Sequence, residues 1–212
     1  MQPQYKILCS KNDVILKRDL QNVNVVNANA NSNTFIIDFE INNSRIDLER
    51  FCNFNIFKLM FELNREDAIQ DLRITDHGGN DGNNVKDMLL IFKRKGDDIG
   101  IKQKYMNLRL TLNTTTTTIY TSTSASNFVF GCVDTEPIHI SSDVGADLSR
   151  AERICDIGAV FCMSLLDRNR LRIQFMFSVP VPAKQQPSYI ENSLGMVMKK
   201  ILSRVKTFIE QM

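Results

Sequence analysis

The residues best suited to bind a metal ion lie in one short polar stretch, Asp76–Asn84. Asp76, His77 and Asp81 offer carboxylate and imidazole ligands there. Their spacing is not that of a calcium-binding loop, and the only other histidine, His139, is distant in the sequence. The Gly and Asn residues of the stretch adopt unusual backbone angles at low cost. We therefore predict a long hairpin loop here and no metal site.

Nucleophilic catalysis would require a cysteine thiolate within reach of a histidine base. His139 or His77 could serve as that base, and the candidate nucleophiles are Cys9, Cys52, Cys132, Cys155 and Cys162. None of these cysteines has a sequence neighbourhood typical of a catalytic nucleophile. Gly78, Gly79 and Gly82 also lack the Lys-Ser/Thr ending of a phosphate-binding loop. We predict no catalytic residue and no cofactor, and expect that the protein is not an enzyme; a Cys/His hydrolase is an alternative.

Composition and charge are those of an ordinary globular protein. The chain has 212 residues, is 43% hydrophobic, and its 26 basic residues nearly balance its 24 acidic residues. The charged N-terminal segment Met1–Arg18 is unlike a signal peptide, and no stretch reaches the roughly 20 apolar residues of a membrane span. Five scattered cysteines indicate free thiols in a reducing compartment. We expect an intracellular protein of the cytoplasm or nucleus of a host cell, not a secreted one.

A local excess of positive charge lies near the C-terminus, at Lys199, Lys200, Arg204 and Lys206. Such a group could contact phosphates of a nucleic acid. The same face lacks aromatic residues on which bases could stack, and a solvated helix face is the commoner explanation. Nucleic-acid binding through this helix is therefore an alternative, and a nucleic-acid partner is not expected.

The elements that would position these residues are mostly strands. In Leu171–Val179 every second residue is apolar, which predicts a long, half-buried antiparallel strand. Phe35–Ile41 and Phe57–Leu63 show the same alternation and are predicted to be strands too. Shorter or less regular strands are predicted over residues 5–10, 14–16, 72–74, 88–92, 108–112, 128–132 and 159–166. The Thr-rich stretch Thr114–Ser126 could extend a strand at a sheet edge, or be partly disordered.

Helices are fewer. Short ones are predicted at Arg45–Phe51 and Leu148–Cys155, and a long amphipathic one follows Ser188, which forms a capping box with Glu191. Its interior Gly195 is the one position unfavourable for a helix. Its apolar stripe either covers the sheet of its own chain or joins two subunits. The stripe includes Leu194, Val197, Met198, Ile201, Leu202 and Val205.

These elements predict a mainly β protein, an antiparallel β-sandwich with short connecting helices and a long C-terminal α-helix. We divide the chain into a β-sandwich domain, residues 1–184, and the C-terminal helix, residues 185–212, packed on the sandwich or on a partner subunit. With no convergent set of acid, base and nucleophile, the favoured function is a noncatalytic structural or protein-interaction module. Its expected partner is a protein, with homo-oligomerisation as one form, and the apolar stripe and basic group of the last helix are the candidate contact residues.

The Asn-rich set of short strands, including Phe35–Ile41, Phe57–Leu63 and Leu171–Val179, resembles the telokin-like proteins of baculoviruses, which are accessory proteins of large insect DNA viruses. The resemblance lies in strand layout over most of the chain and rests on no diagnostic motif. It implies a small β-sandwich in an intracellular viral protein without known enzymatic chemistry. The Thr tract and the long final helix depart from that pattern.

Overall fold

The computed structural model describes residues 5–19, 32–76, 84–94, 102–118, 124–135, 148, 151–155, 157–180 and 188–212. Within these residues the chain forms ten strands, one short 3-10 helix and two α-helices. The strands are β1 (Tyr5–Lys11), β2 (Val14–Asp19), β3 (Ser32–Asn42), β4 (Ile69–Asp76), β5 (Val85–Phe92), β6 (Lys104–Thr118), β7 (Ser124–Asp134), β8 (Glu152–Arg153), β9 (Gly158–Asp167) and β10 (Arg170–Pro180). The helices are the 3-10 helix Leu48–Phe51, α1 (Asn55–Glu62) and α2 (Ser188–Gln211).

All ten strands belong to one sheet. Nine of them follow the order β1-β2-β3-β10-β9-β7-β6-β5-β4 with antiparallel pairing, and β8 pairs with the start of β6 in parallel. The alternation in Leu171–Val179 does mark a strand, and its residues Leu171, Ile173, Phe175 and Phe177 are buried. The mainly β class, the large antiparallel sheet and the C-terminal helix are confirmed.

The predicted β-sandwich is not confirmed, because no second sheet covers the apolar face in the described part of the chain. Helices cover it instead: α2 packs on β2 and β3, and α1 contacts both α2 and β4. Alternation specifies which side chains share a face of a strand, but a sheet and a helix can both bury that face. The periodicity therefore predicted strands such as Phe35–Ile41 and Leu171–Val179 correctly, but it did not indicate which kind of element covers their apolar face.

Two local predictions are wrong. Residues 57–62 of the predicted strand Phe57–Leu63 belong to α1, in which Ile56, Phe57 and Met60 are buried at helical spacing. The amide of Asn55 at its start donates to the side-chain oxygen of Asn53, 2.8 Å away. Within the predicted helix Leu148–Cys155, the described residues Glu152–Arg153 form the short strand β8. The capping signal at Ser44 also preceded only a short 3-10 helix, Leu48–Phe51.

Several hairpins are as predicted. The strands β9 and β10 form the central hairpin around a tight turn at Asp167, whose carboxylate accepts the amide of Asn169 at 2.9 Å. The strands β4 and β5 also pair as a hairpin, although residues 77–83 of its connection lie outside the described residues. Thr114–Thr118 are part of β6 and pair with the start of β7, so this half of the Thr tract is ordered strand.

Candidate functional site

A continuous row of aromatic rings crosses the helix-covered face of the sheet. The rings of Phe35 and Phe177 stack at 5.4 Å, and those of Phe177 and Phe175 at 5.1 Å. Phe175 then contacts Phe161 at 5.7 Å, and Phe161 contacts Phe130 at 6.3 Å. Strand register produces the row, because β10 places Phe177 opposite Phe35 on β3 and Phe175 opposite Phe161 on β9. Aromatic pairs at these separations stabilise the sheet and form a rigid apolar floor.

An apolar cavity lies between this floor and the helices. Its empty volume is about 860 Å³, the open space at its mouth included. The helix α1 contributes Phe57, Met60 and Phe61, and α2 contributes Met198. The sheet and the segment before β9 contribute Ile69, Leu72, Met88, Leu90, Phe92, Met106, Leu108, Cys132, Ile154, Ile157, Ala159, Phe161, Phe175 and Phe177. A cavity of this kind, mostly apolar and set between packed layers, is the usual form of a small-molecule site.

The cavity occupies one end of the sheet. Phe177 and Cys132 come near the ends of β10 and β7, and Ala159 comes near the start of β9. Phe92 is the last residue of β5 and pairs with Ile69, the first residue of β4. Toward the other end of β10, Leu171 and Ile173 are fully buried and do not line the cavity. The described lining residues thus lie toward one end of the sheet face.

The chemistry available in the cavity is limited. Cys132 is the one titratable residue among the described lining residues, and burial raises the pKa of its thiol to about 12. The thiol is therefore protonated near neutral pH and is a poor nucleophile. The other described lining residues carry no carboxylate, imidazole, hydroxyl or amide side chain. This arrangement can take up an apolar molecule and exclude water, and its described lining offers no acid, base or activated nucleophile.

The apolar stripe of α2 lies largely on its own chain. Ile201, Leu202 and Val205 are buried beneath the helix, Met198 lines the cavity, and Val197 is 39% exposed. The side chain of Leu194 lies outside the described residues. These side chains cover the sheet of their own chain. Self-association through this helix stays a prediction.

The basic group of α2 is engaged within the protein. Lys200 Nζ lies 3.0 Å from Asp67 Oδ2, and Arg204 pairs with the same carboxylate. Lys206 is buried and donates to the carbonyl oxygen of Glu40 at 2.5 Å, and Lys199 is 6% exposed. Residues that are buried or paired in this way do not form a positive stripe for phosphates.

Neither histidine can be placed, because His77 and His139 lie outside the described residues. The hydrolase hypothesis that used them stays untested. The described part of the chain contains no group of three or more His, Cys, Asp or Glu residues arranged to hold a metal ion. Nor does it contain a helix long and apolar enough to cross a bilayer.

Sequence reasoning missed the cavity and the helix that closes one side of it. Phe57, Met60 and Phe61 follow the i, i+3, i+4 spacing of a helix face, and this signal was present in the sequence. The helical spacing was not recognised because Phe57, Leu59, Phe61 and Leu63 also alternate as apolar residues of a strand do. Among the interaction residues proposed on α2 whose side chains are described, only Met198 lines the cavity.

No family model and no curated protein matches this sequence. Solved structures match it in fold. The human StarD13 (DLC2) lipid transfer and protein localization domain matches with a TM-score of 0.63 and 9% identity, covering 100% of this chain and 91% of that chain. Human StAR-related lipid transfer protein 5 matches with a TM-score of 0.61 and 7% identity, covering 98% and 86%. Human STARD10 matches with a TM-score of 0.56 and 8% identity, covering 97% and 72%.

At these identities the likeness shows the fold, which is the helix-grip fold of StAR-related lipid transfer domains. The resemblance to telokin-like proteins of baculoviruses is therefore wrong. It rested on alternating strands such as Phe35–Ile41, and alternation of this kind occurs in many unrelated sheets. The matches also contradict the interpretation as a structural or protein-interaction module and its nucleic-acid-binding alternative.

Proposed function

We propose that this protein binds a lipid in the cavity between the sheet and the helices α1 and α2. The observation that carries the proposal is a cavity whose described lining is apolar throughout, with an empty volume of about 860 Å³ when the open space at its mouth is included. Binding in such a space removes hydrocarbon from water, which contributes about 0.8 kcal/mol for each buried methylene group. The names of the human structural neighbours, which describe lipid transfer, agree with this use of the fold.

The protein acts as a binder or carrier of the lipid and does not transform it. Proton transfer in a reaction requires a group with a pKa near the working pH. Cys132, with a pKa of about 12, does not meet that requirement, and no other described lining side chain titrates. The proposal therefore assigns the cavity to storage or transport of its ligand.

In the test, the purified protein is incubated with vesicles of phosphatidylcholine, cholesterol and hexadecanoate. It is then separated from the vesicles, and native mass spectrometry identifies the lipid that it retains. We expect the protein to retain at least one of the three. A protein that carries none of them would overturn the proposal.

A variant that fills the cavity provides the structural control. Ala159 lies on β9 with its side chain toward the cavity, so Ala159→Leu should reduce the retained lipid. The next residue, Val160, points to the opposite face of the same strand, and Val160→Leu should leave lipid retention unchanged. If both variants, equally folded by circular dichroism, retained as much lipid as the original protein, the lipid would lie elsewhere.

A further inference from the structure

Among the residues that the structure describes, the polar side chains nearest the cavity are not directed into it. Asn107 is fully buried on β6, and both polar atoms of its side-chain amide lack a hydrogen-bond partner among the residues that the structure describes. It would be a natural anchor for a ligand hydroxyl. However, Leu108 lines the cavity, and successive residues of a strand point to opposite faces. The Asn107 amide therefore lies behind the sheet, away from the cavity.

Polar side chains at the same end of the sheet already have protein partners. Gln103 donates to the carbonyl oxygen of Phe92 at 2.9 Å, and Lys104 pairs with Glu152 at 2.7 Å. The guanidinium of Arg153, next to the lining residue Ile154, donates to the carboxylate of Asp134 at 2.9 Å. Each of these side chains is already bonded within the protein, so moving one of these bonded groups to a ligand would break an internal bond.

A ligand group buried in this cavity would thus have nothing to bond with among the described lining residues. Burying a hydroxyl or amide without a partner costs about 2 kcal/mol or more, and burying an isolated charge costs much more. The described lining therefore favours a lipid that places its hydrocarbon in the cavity and keeps its polar group outside this apolar lining.

The shape of the space favours a thin and flexible hydrocarbon. Only a small part of the empty volume is wide enough to hold the centre of a water molecule, so the cavity is narrow. An alkyl chain is thinner than a fused ring system and can follow a narrow path. Four methionines, Met60, Met88, Met106 and Met198, line the space, and their unbranched side chains adjust to the course of a chain.

We infer that the cavity selects its ligand by the length of an alkyl chain and not by the polar group attached to it. The inference rests on the proposed function and specifies the ligand class of the same site. A fatty acid, a fatty alcohol and a fatty amine of equal chain length are then equivalent ligands, and a rigid sterol is a poor one.

The test measures dissociation constants by isothermal titration calorimetry for hexadecanoate, hexadecanol and hexadecylamine, which share one chain and differ in charge. We expect the three affinities to agree within about tenfold, because loss of one charged hydrogen bond would alter affinity by more than that. Decanoate, with a shorter chain, should bind more weakly than hexadecanoate, by up to about fourfold for each methylene removed. Cholesterol should bind more weakly than hexadecanol.

The outcomes separate this inference from the proposed function. The chain-length inference would be contradicted if the polar group changed the affinity by far more than tenfold at constant chain length, or if cholesterol bound as tightly as hexadecanol. Either result would still support lipid binding. If none of these ligands bound, and the vesicle experiment also yielded lipid-free protein, the proposed function itself would fall. Ala159→Leu should weaken hexadecanoate and hexadecylamine equally, since both place only a chain beside that residue.

Discussion

Gly195 of α2 lies directly against Phe35 of β3. A Cβ atom at Gly195 would stand 3.1 Å from Cδ1 of Phe35 and 3.3 Å from a methyl carbon of Leu16. The glycine that weakens the helix as an isolated segment therefore allows α2 to approach the sheet closely. This contact fixes the height of the helix above the face that contains the cavity.

Replacing Gly195 with leucine should destabilise the protein. Leucine favours helix, but its side chain would overlap Phe35 and Leu16, and overpacking of this kind costs about 1 to 3 kcal/mol. Thermal unfolding followed by circular dichroism should show a lower Tm for Gly195→Leu. Met196→Leu is the matched control, because Met196 is 44% exposed, and it should leave the Tm unchanged. An unchanged or higher Tm for Gly195→Leu would mean that α2 does not lie this close to β3.

Truncating the side chain of Phe161, whose ring lies within the aromatic floor of the sheet, should strongly lower the free energy of unfolding. Phe161 is fully buried and contacts the rings of Phe57, Phe130 and Phe175. Loss of such a ring usually costs about 3 to 5 kcal/mol, from lost burial and from the enlarged cavity. Urea unfolding should show this for Phe161→Ala, and a much smaller loss for Phe208→Ala, whose side chain is 39% exposed. Similar losses for the two variants would contradict the placement of Phe161 in the floor.

The stabilisation that Asp67 provides by holding α2 should decrease in acid. Hydrogen bonds from Lys200 and Arg204 lower the pKa of its carboxyl group from 3.8 to about 2. Because the folded-state pKa is the lower one, the stabilisation is fully present above about pH 4 and is lost as the pH falls through about 2. The carboxyl is exposed, so the effect should be small and weaker in high salt.

Comparison of Asp67→Asn with the original protein tests this. The Tm difference between them should be largest above pH 4 and should shrink toward pH 2. Glu62→Gln serves as the control, because Glu62 pairs with Arg65 of its own segment. A Tm difference that stayed constant over the whole range would argue against the contact of Asp67 with the helix.

The cysteines should differ sharply in reactivity. Burial raises the pKa of both Cys52 and Cys132 to about 12, whereas Cys155 is exposed. Because the thiolate is the reactive form, a maleimide at pH 8 should modify Cys155 first and should reach Cys52 and Cys132 only after denaturation. Peptide mapping by mass spectrometry would identify the order. Modification of Cys132 as fast as Cys155 in the folded protein would mean that the cavity is open to bulk solvent.

Part of the candidate site could be predicted from local pattern. The alternation in Leu171–Val179 placed Phe175 and Phe177 on one face, and the structure lines the cavity with both. The role of Phe57, Met60 and Phe61 could not be decided in the same way, since their stretch satisfies both a strand period and a helix period. The contacts of α1 with β4 and α2 selected the helix there.

By itself the sequence determined which side chains share a face in most strands, and it determined the long final helix, because both follow from short repeats of apolar residues. Only the tertiary structure decided that one sheet, rather than two, carries those faces, and that helices cover it. It also decided that space remains near Phe177 and Ala159 while Leu171 and Ile173 are packed. A cavity is a gap between elements distant in the chain, and no local repeat encodes how completely such elements fill the space between them.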